Sequence, residues 1–503
     1  MALRGLVKFD LTSVQCVIAR RKAPWQSPKP HITTMTLKEK IGYGFGDMSS
    51  SMFWKLFSYF LPFFYSNVFG LSLADAGVLM LVTRVWDAVS DPMMGIIADR
   101  TKTRWGKYRP YLLFFSLPFA LCGILLFTTP ETGKTVWAYV TYILMMTVYT
   151  GINVPYGSLL NVMTADSDEK SVLSSYRMFF AYGGSFIALF AWEPLCNMFD
   201  KGRVAVEGAT GLAAVSTDPE AWQHAMICIA SLCFLLFIFS FLMTKEHVKS
   251  ESTVSVGQDL KLLLKNKPWW LLIGAALASN LFNTVRGTTT AYFFSDYILK
   301  TVDMAPQWAF LVSAGIFLSV GEIANMVGVV LAVPMSRNLG KKSTYIISAA
   351  VLICLSVAFF FLPATAGGYW AMLGLQIVIS VFTGVISPLV WSMYADVADW
   401  SELKDGTAST GLIFSSASMA QKFGGAFGGS AVMWMLAAFG YNTLAGAVQT
   451  ETAILGLRIL MSWVPALVAA LSILVVWFYP LTKKKMAQVQ TELSTIRSAQ
   501  SVE

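Results

Sequence analysis

Twelve apolar stretches, centred near residues 55, 84, 120, 148, 183, 232, 280, 318, 353, 382, 425 and 465, decide what this chain can fold into. Most are long enough to cross a bilayer, which takes about 20 predominantly apolar residues with some tilt. No soluble core could absorb so many. Only 13% of the 503 residues are charged and 55% are hydrophobic, against roughly 25% charged in an ordinary soluble domain. Disordered, fibrous and disulfide-scaffold classes are excluded on the same ground. The expectation is an all-α membrane protein with twelve transmembrane helices in two six-helix halves.

The net charge of +8 would suggest nucleic acid in a soluble protein; here its placement matters more than its sum. Basic residues cluster between alternate pairs of spans: Arg100, Lys102, Arg104, Lys107 and Arg109; Lys245, Lys249, Lys261, Lys265 and Lys267; Arg337, Lys341 and Lys342; and Lys483 to Lys485. The intervening connections, such as 363–368 and 441–454, carry almost none. By the positive-inside bias, both termini and the central loop 246–267 are expected to be cytoplasmic, in an inner-membrane protein. The reading divides the chain into an N-terminal half over 35–245, a C-terminal half over 268–481 and a tail over 482–503. Residues 1–34 hold basic residues but no sustained apolar core. They read as a disordered or over-extended leader before Met35.

Six scattered cysteines without a C-x-x-C pair, and His31, His224 and His247 far apart, offer no metal site. No cofactor, nucleic acid or obligate protein partner is indicated. The informative residues are charges inside the spans, where insertion costs roughly 2.5–3.5 kcal/mol each and function is the default explanation. Arg84, Asp87 and Asp91 follow i, i+3, i+7 spacing and share one face of the second span. Two carboxylates one turn apart in low dielectric cannot both ionise cheaply, so the pair suits a proton or a small cation such as sodium. Pro92 frees the carbonyl of Ala88 nearby. The alternative is an Asp87 that pairs with Arg84 or another helix to hold the bundle. Lys55, Arg286, Glu322 and Lys422 are the other buried charges, on spans one, seven, eight and eleven, with Arg177 near the start of span five. Lys422 lies in Gln421-Lys422-Phe423-Gly424-Gly425, where small residues permit close helix contact.

Gly95-Ile96-Ile97-Ala98-Asp99-Arg100 with Gly106-Lys107, and a degenerate second copy at Arg337-Asn338-Leu339-Gly340-Lys341-Lys342, resemble the loop signature of the major facilitator superfamily. Further markers follow in order over about residues 40–480: Tyr43-Gly44-Phe45-Gly46-Asp47, the Arg84 to Gly95 segment, Arg104-Trp105-Gly106-Lys107, Pro155-Tyr156-Gly157-Ser158-Leu159, Ser175-Tyr176-Arg177, Ala395-Asp396-Val397-Ala398-Asp399-Trp400-Ser401-Glu402, and Lys422-Phe423-Gly424-Gly425. As a set they resemble the glycoside-pentoside-hexuronide:cation symporter family. The resemblance implies cation binding by Asp87 and Asp91 with Thr150 and Lys422 beside them, and Arg177 next to the sugar. Asp99, Arg104 and Lys107 would form a cytoplasmic gate.

The departures bear on substrate. Where melibiose-type members present two sugar-binding aspartates, this chain has Ser51 and Asn153, and their ring-stacking tryptophans are Gly157 and Ser387. The Pro-Tyr-Gly-Ser-Leu form is closer to the xyloside and glucuronide members. Ser51, Lys55, Arg84, Asn153, Arg177 and Arg286 are the expected substrate contacts. With Lys55 or Arg286 free to bind a carboxylate, an anionic sugar is favoured over a neutral galactoside. Glu322 is the alternative, structural partner of Arg286. The expected function is secondary active symport of a sugar with sodium or a proton. A lysolipid or other amphiphile carrier on the same fold is the alternative. Gly44-Phe45-Gly46-Asp47 also matches the G-x-G-D of intramembrane aspartyl proteases, but no earlier span supplies the second aspartate. No zinc-protease or ATP-binding motif appears, so an enzyme is not expected.

Overall fold

The computed structural model describes residues 35–164, 167–201, 216–247, 263–405, 410–444 and 447–502. Within them the chain is helical, with no β-strand. The first half contains α1 (Leu37–Tyr59), α2 (Leu73–Arg100), α3 (Arg109–Phe114 and Ser116–Leu126, bent at Phe115), α4 (Lys134–Met163), α5 (Ser167–Phe199) and α6 (Pro219–Met243). The second contains α7 (Lys267–Phe293), α8 (Ala314–Leu339), α9 (Lys341–Phe360), α10 (Ala366–Asp405), α11 (Thr410–Ala438) and α12 (Glu451–Met461 and Trp463–Trp477, bent at Ser462). A thirteenth helix, α13 (Lys483–Val502), packs against α10. The segment read as a tail over 482–503 consists largely of this helix. The expected leader over 1–34, and most of the central loop, lie outside the described residues.

Local chemistry sets the helix starts. Thr36 and Glu39 form a reciprocal capping box on α1, and Ser72, Asp218, Asn266, Ser313 and Thr450 cap later helices by accepting backbone N–H groups. Both halves begin the same way. α1 runs into a five-residue π-helical turn at Phe64–Val68, and α7 into one at Phe294–Ile298. Such turns are rare and concentrate at functional sites, so their matched positions support the internal repeat.

By length and composition, seven of the described helices suffice to cross a membrane. Of the twelve helices α1 to α12, the five others are α1, α2, α3, α7 and α11. Four of these carry the charges Lys55, Arg84, Asp87, Asp91, Arg286 and Lys422, and that polar content weakens their membrane signature.

The halves meet along α1 with α7, α2 with α11, and α5 with α8. Contact is closest on the side away from the basic loops. Ser430 donates to the Gly77 carbonyl at 2.8 Å and Thr288 to the Ser58 carbonyl at 2.7 Å. The hydroxyls of Ser66 and Tyr292 share a hydrogen bond at 2.7 Å, Asn67 donates to Tyr441 at 3.1 Å, and Ser313 donates to Glu193. A Cβ on Gly287 would lie 2.1 Å from the Tyr59 ring, which is why that crossing needs glycine. Toward the basic face the packing opens. Gly157 shares the face of α4 that carries Thr150, and a Cβ there would meet nothing within 4 Å.

Candidate functional site

Two neighbouring sites lie at the junction of the halves. The first is acidic. Asp87 is fully buried, whereas Asp91 keeps 27% of its side chain exposed. Thr150 of α4 donates to Asp87 Oδ1 at 2.9 Å or to Asp91 Oδ1 at 3.1 Å, and Ser90 approaches Thr150 at 3.3 Å. From the other half, Lys422 of α11 hydrogen-bonds Asp91 Oδ2 and brings Nζ to 3.1 Å from Asp87 Oδ2. The approach to Asp87 is not angled as a hydrogen bond, and Oδ2 of Asp87 has no hydrogen-bond partner; the attraction is ionic. Carboxylate and hydroxyl oxygens converge there, as a hard cation requires, and the ammonium stands where such a cation would neutralise the pair. The structure thus brings Asp87, Asp91, Thr150 and Lys422 together. Arg84 is not part of this cluster. Its guanidinium lies 4.2 Å above the Trp54 ring; of the alternative reading for Asp87, the Arg84 partner is not seen, whereas a partner on another helix is, Lys422.

The second site is a cavity of about 160 Å³ between α1, α5, α7, α8 and α10. A smaller recess of about 40 Å³ shares Tyr59, Asn283, Asn325 and Thr383 with it and continues to Arg286, Glu322 and Gln376. The lining is rich in amides and hydroxyls, with Trp54 as its large apolar plate. Arg84 lies 4.2 Å over the Trp54 ring, and Tyr149 packs beside it with ring centroids 5.7 Å apart. A tryptophan face surrounded by Asn and Thr is suited to the apolar and hydroxyl faces of a sugar ring.

Several expected substrate contacts fall elsewhere. Lys55 lines the cavity, but Ser51, Asn153, Arg84 and Arg177 do not. Asn153 donates to its own helix at Tyr149 O, 3.1 Å away. Arg177 donates from Nε to Asp47 at 2.9 Å and covers the Tyr156 ring at 5.5 Å, so its charge is committed to tying α5 to α1. That pair also gives Asp47 a structural role and removes the protease-like reading of the G-x-G-D segment. Glu322 does not hold Arg286. It pairs with Lys55 at 2.5 Å, while Arg286 donates to Met461 O at 2.6 Å and to Gln376 Oε1 at 2.7 Å and stacks on Phe359. Arg286 therefore braces α7 against α12 and α10.

Trp54, Tyr182, Asn280, Asn283, Asn325 and Thr383 were not anticipated. Their signal was available: amides inside apolar spans are as much in need of explanation as charges, and Asn280 and Asn283 lie i, i+3 on α7.

On the basic face, Arg104 stacks on Trp105 at 4.5 Å and Lys107 on Tyr108 at 5.0 Å. The side chain of Asp99 lies outside the described residues. The fastening is made by Glu246, just beyond α6. Its carboxylate accepts the backbone N–H groups of Lys107, Tyr108 and Arg109 at 2.8, 2.7 and 2.9 Å, at the positive start of α3.

The chain matches the family model for MFS/sugar transport proteins over residues 42–483. It is 32% identical over 465 residues to the inner membrane symporter YicJ of Escherichia coli (strain K12), covering 92% of this chain and 95% of that one. It is 30% identical over 485 residues to the isoprimeverose transporter of Lactiplantibacillus pentosus, covering 94% and 92%. Among solved structures, the nucleoside transporter NupG superposes with a TM-score of 0.61 at 13% identity, covering 88% of this chain and 98% of that one; this likeness speaks to the fold alone. The chain belongs to the MFS/sugar transport protein family, within its glycoside-pentoside-hexuronide:cation symporters, and is a carrier, not an enzyme.

Proposed function

We propose that the chain takes up a sugar of the glycoside class together with a coupling cation, sodium or a proton, by alternating access. The observation that carries this is Lys422, which reaches from the second half into the Asp87, Asp91 and Thr150 cluster of the first. A cation entering that cluster replaces the ammonium as counter-charge and frees α11 from α2. Cation binding and the packing of the halves are then one equilibrium, and the polar cavity beside it experiences the change. Linkage makes the effect reciprocal: the sugar tightens the cation as the cation tightens the sugar.

The relatives' names support the reading, one being a symporter and the other a carrier of a sugar. With the basic loops and both termini in the cytoplasm, the closed side of the interface faces outward and Asp91 is reached from inside. The amide-rich lining gives an acyl chain no apolar bed, so the amphiphile alternative gains no support from it.

The test is uptake of radiolabelled glycosides by proteoliposomes in which sodium and proton gradients are imposed and collapsed separately. Accumulation driven by one gradient supports symport and names the ion. Uptake that only equilibrates under every gradient would refute coupling, and uptake of a lysolipid but no glycoside would reverse the choice of cargo.

A further inference from the structure

Resting on that reading, we propose that Glu322 and Lys55 form a clamp for two neighbouring sugar hydroxyls, and that the carried sugar is a neutral glycoside, not a uronate. The observation is an incomplete pair. Glu322 Oε1 accepts from Lys55 Nζ at 2.5 Å, whereas Oε2 of the same carboxylate is buried without a hydrogen-bond partner. Glu322 keeps 4% of its side-chain exposure and borders the recess, while Lys55 borders the larger cavity that the recess continues. A buried acceptor left unmade costs about 1–3 kcal/mol, more for a charged group, so a donor supplied by the cargo recovers that loss.

Lys55 is complementary. Its ammonium has three donors; one serves Glu322 and one serves the Tyr59 hydroxyl at 3.2 Å. An unused acceptor thus stands beside a remaining donor, across the interface between α1 and α8. Adjacent hydroxyls on a pyranose offer the matching arrangement, one donating its hydrogen and the other accepting. Because the pair joins the two halves, its engagement by sugar also bears on their packing.

Charge sets the class. Lys55 and Glu322 neutralise each other, so a uronate carboxylate finds no unpaired ammonium there and meets an anionic oxygen instead. To use Lys55 it would have to expel Glu322 and leave a second buried anion. Arg286 also lines the recess; one donor of Nη1 and one of Nη2 are spent on Met461 and Gln376, which ties it to α12 and α10. A uronate that engaged its remaining donors would show as a uronate preference in binding.

The experiment measures binding to the purified carrier with nitrophenyl glucoside, galactoside and xyloside, set against the matched glucuronide and galacturonide. Wild type is expected to favour the neutral member of a matched pair at least tenfold. Glu322→Gln, which swaps an acceptor for a donor, should weaken neutral-sugar binding at least tenfold. The double variant Lys55→Gln with Glu322→Gln removes both charges and leaves no unpaired ion, so a well-folded double variant by size exclusion should show the same loss. A wild type that prefers a uronate, or neutral-sugar affinity unchanged in the folded double variant, overturns the clamp while leaving symport standing. Failure of every sugar to bind overturns both.

Discussion

Lys422 Nζ lies 3.1 Å from the fully buried carboxylate of Asp87 although the two residues belong to opposite halves of the molecule. Breaking a buried pair by removing one member costs about 3–5 kcal/mol, because the survivor keeps an uncompensated charge. The arrangement therefore persists only while something positive occupies the space between α2 and α11. On the proposed symport reading, a transporter that must part these helices once per cycle gains a switch: the ammonium in one state, the cation in another.

Asp87→Asn and Asp91→Asn are each expected to reduce gradient-driven accumulation to passive equilibration in proteoliposomes, while sugar still binds. The amides keep the shape but not the exchangeable charge. Asp87, with no exposure, should also lower thermal stability more than Asp91, which retains 27%. Concentrative uptake at the wild-type level by Asp91→Asn would remove that residue from the coupling site.

Lys422→Ala should tighten apparent cation affinity about tenfold or more, since the competitor is gone, and should depress the unfolding temperature when no coupling cation is present. Restoring the cation should recover the lost stability, because binding to the folded state alone adds RT ln(1 + [L]/Kd). Lys422→Arg keeps the charge and should lie nearer wild type. The measurement is thermal unfolding against sodium concentration at several pH values; superimposable curves for wild type and Lys422→Ala would make the lysine merely structural.

The helical count and the acidic pair were legible because both depend on one helix at a time. Apolar length gives the spans, and the spacing of Asp87 and Asp91 gives a shared face whatever surrounds it. Lys55, Arg286 and Glu322 were legible as buried charges but not as partners. Their pairing depends on how α1, α7 and α8 cross, and no periodicity within a helix encodes that. The nearest assumption, Glu322 with Arg286 on the preceding span, failed because Arg286 turns toward α10 and α12. Trp54 was hidden for a different reason: α1 is crowded with Phe53, Phe57, Tyr59 and Phe60, and only packing shows which ring faces the cavity. Glu246 gave no signal at all, being one acidic residue between Lys245 and His247.

Trp54→Ala is expected to weaken sugar binding about tenfold, roughly 1.4 kcal/mol, with cation affinity in the absence of sugar little changed. Trp54→Tyr retains a ring and should recover much of the loss. Isothermal titration with each ligand separates the two effects. An equal loss for both ligands in Trp54→Ala would mean that the ring supports Arg84 and the acidic site instead of touching sugar.

Glu246 and Gly106 should govern rate more than affinity. The carboxylate satisfies three backbone N–H groups at the start of α3, and Gly106 adopts φ 114° directly beneath it, where an added Cβ would come within 2.5 Å of the carboxyl carbon. Glu246→Ala leaves those donors to water, at a cost of about 1–3 kcal/mol if they stay buried. Gly106→Ala both strains the backbone and pushes the carboxylate away. Each variant loosens the tie between the α2–α3 loop and the end of α6, so the first half no longer moves as one body. The expected result is a maximal uptake rate several-fold lower with sugar and cation affinities within about twofold of wild type, read from initial uptake rates and equilibrium binding on the same preparation. Glu246→Gln, which keeps acceptor geometry and loses charge, should fall between Glu246→Ala and wild type. An affinity loss that matches the rate loss would instead place the loop contact in the binding equilibrium.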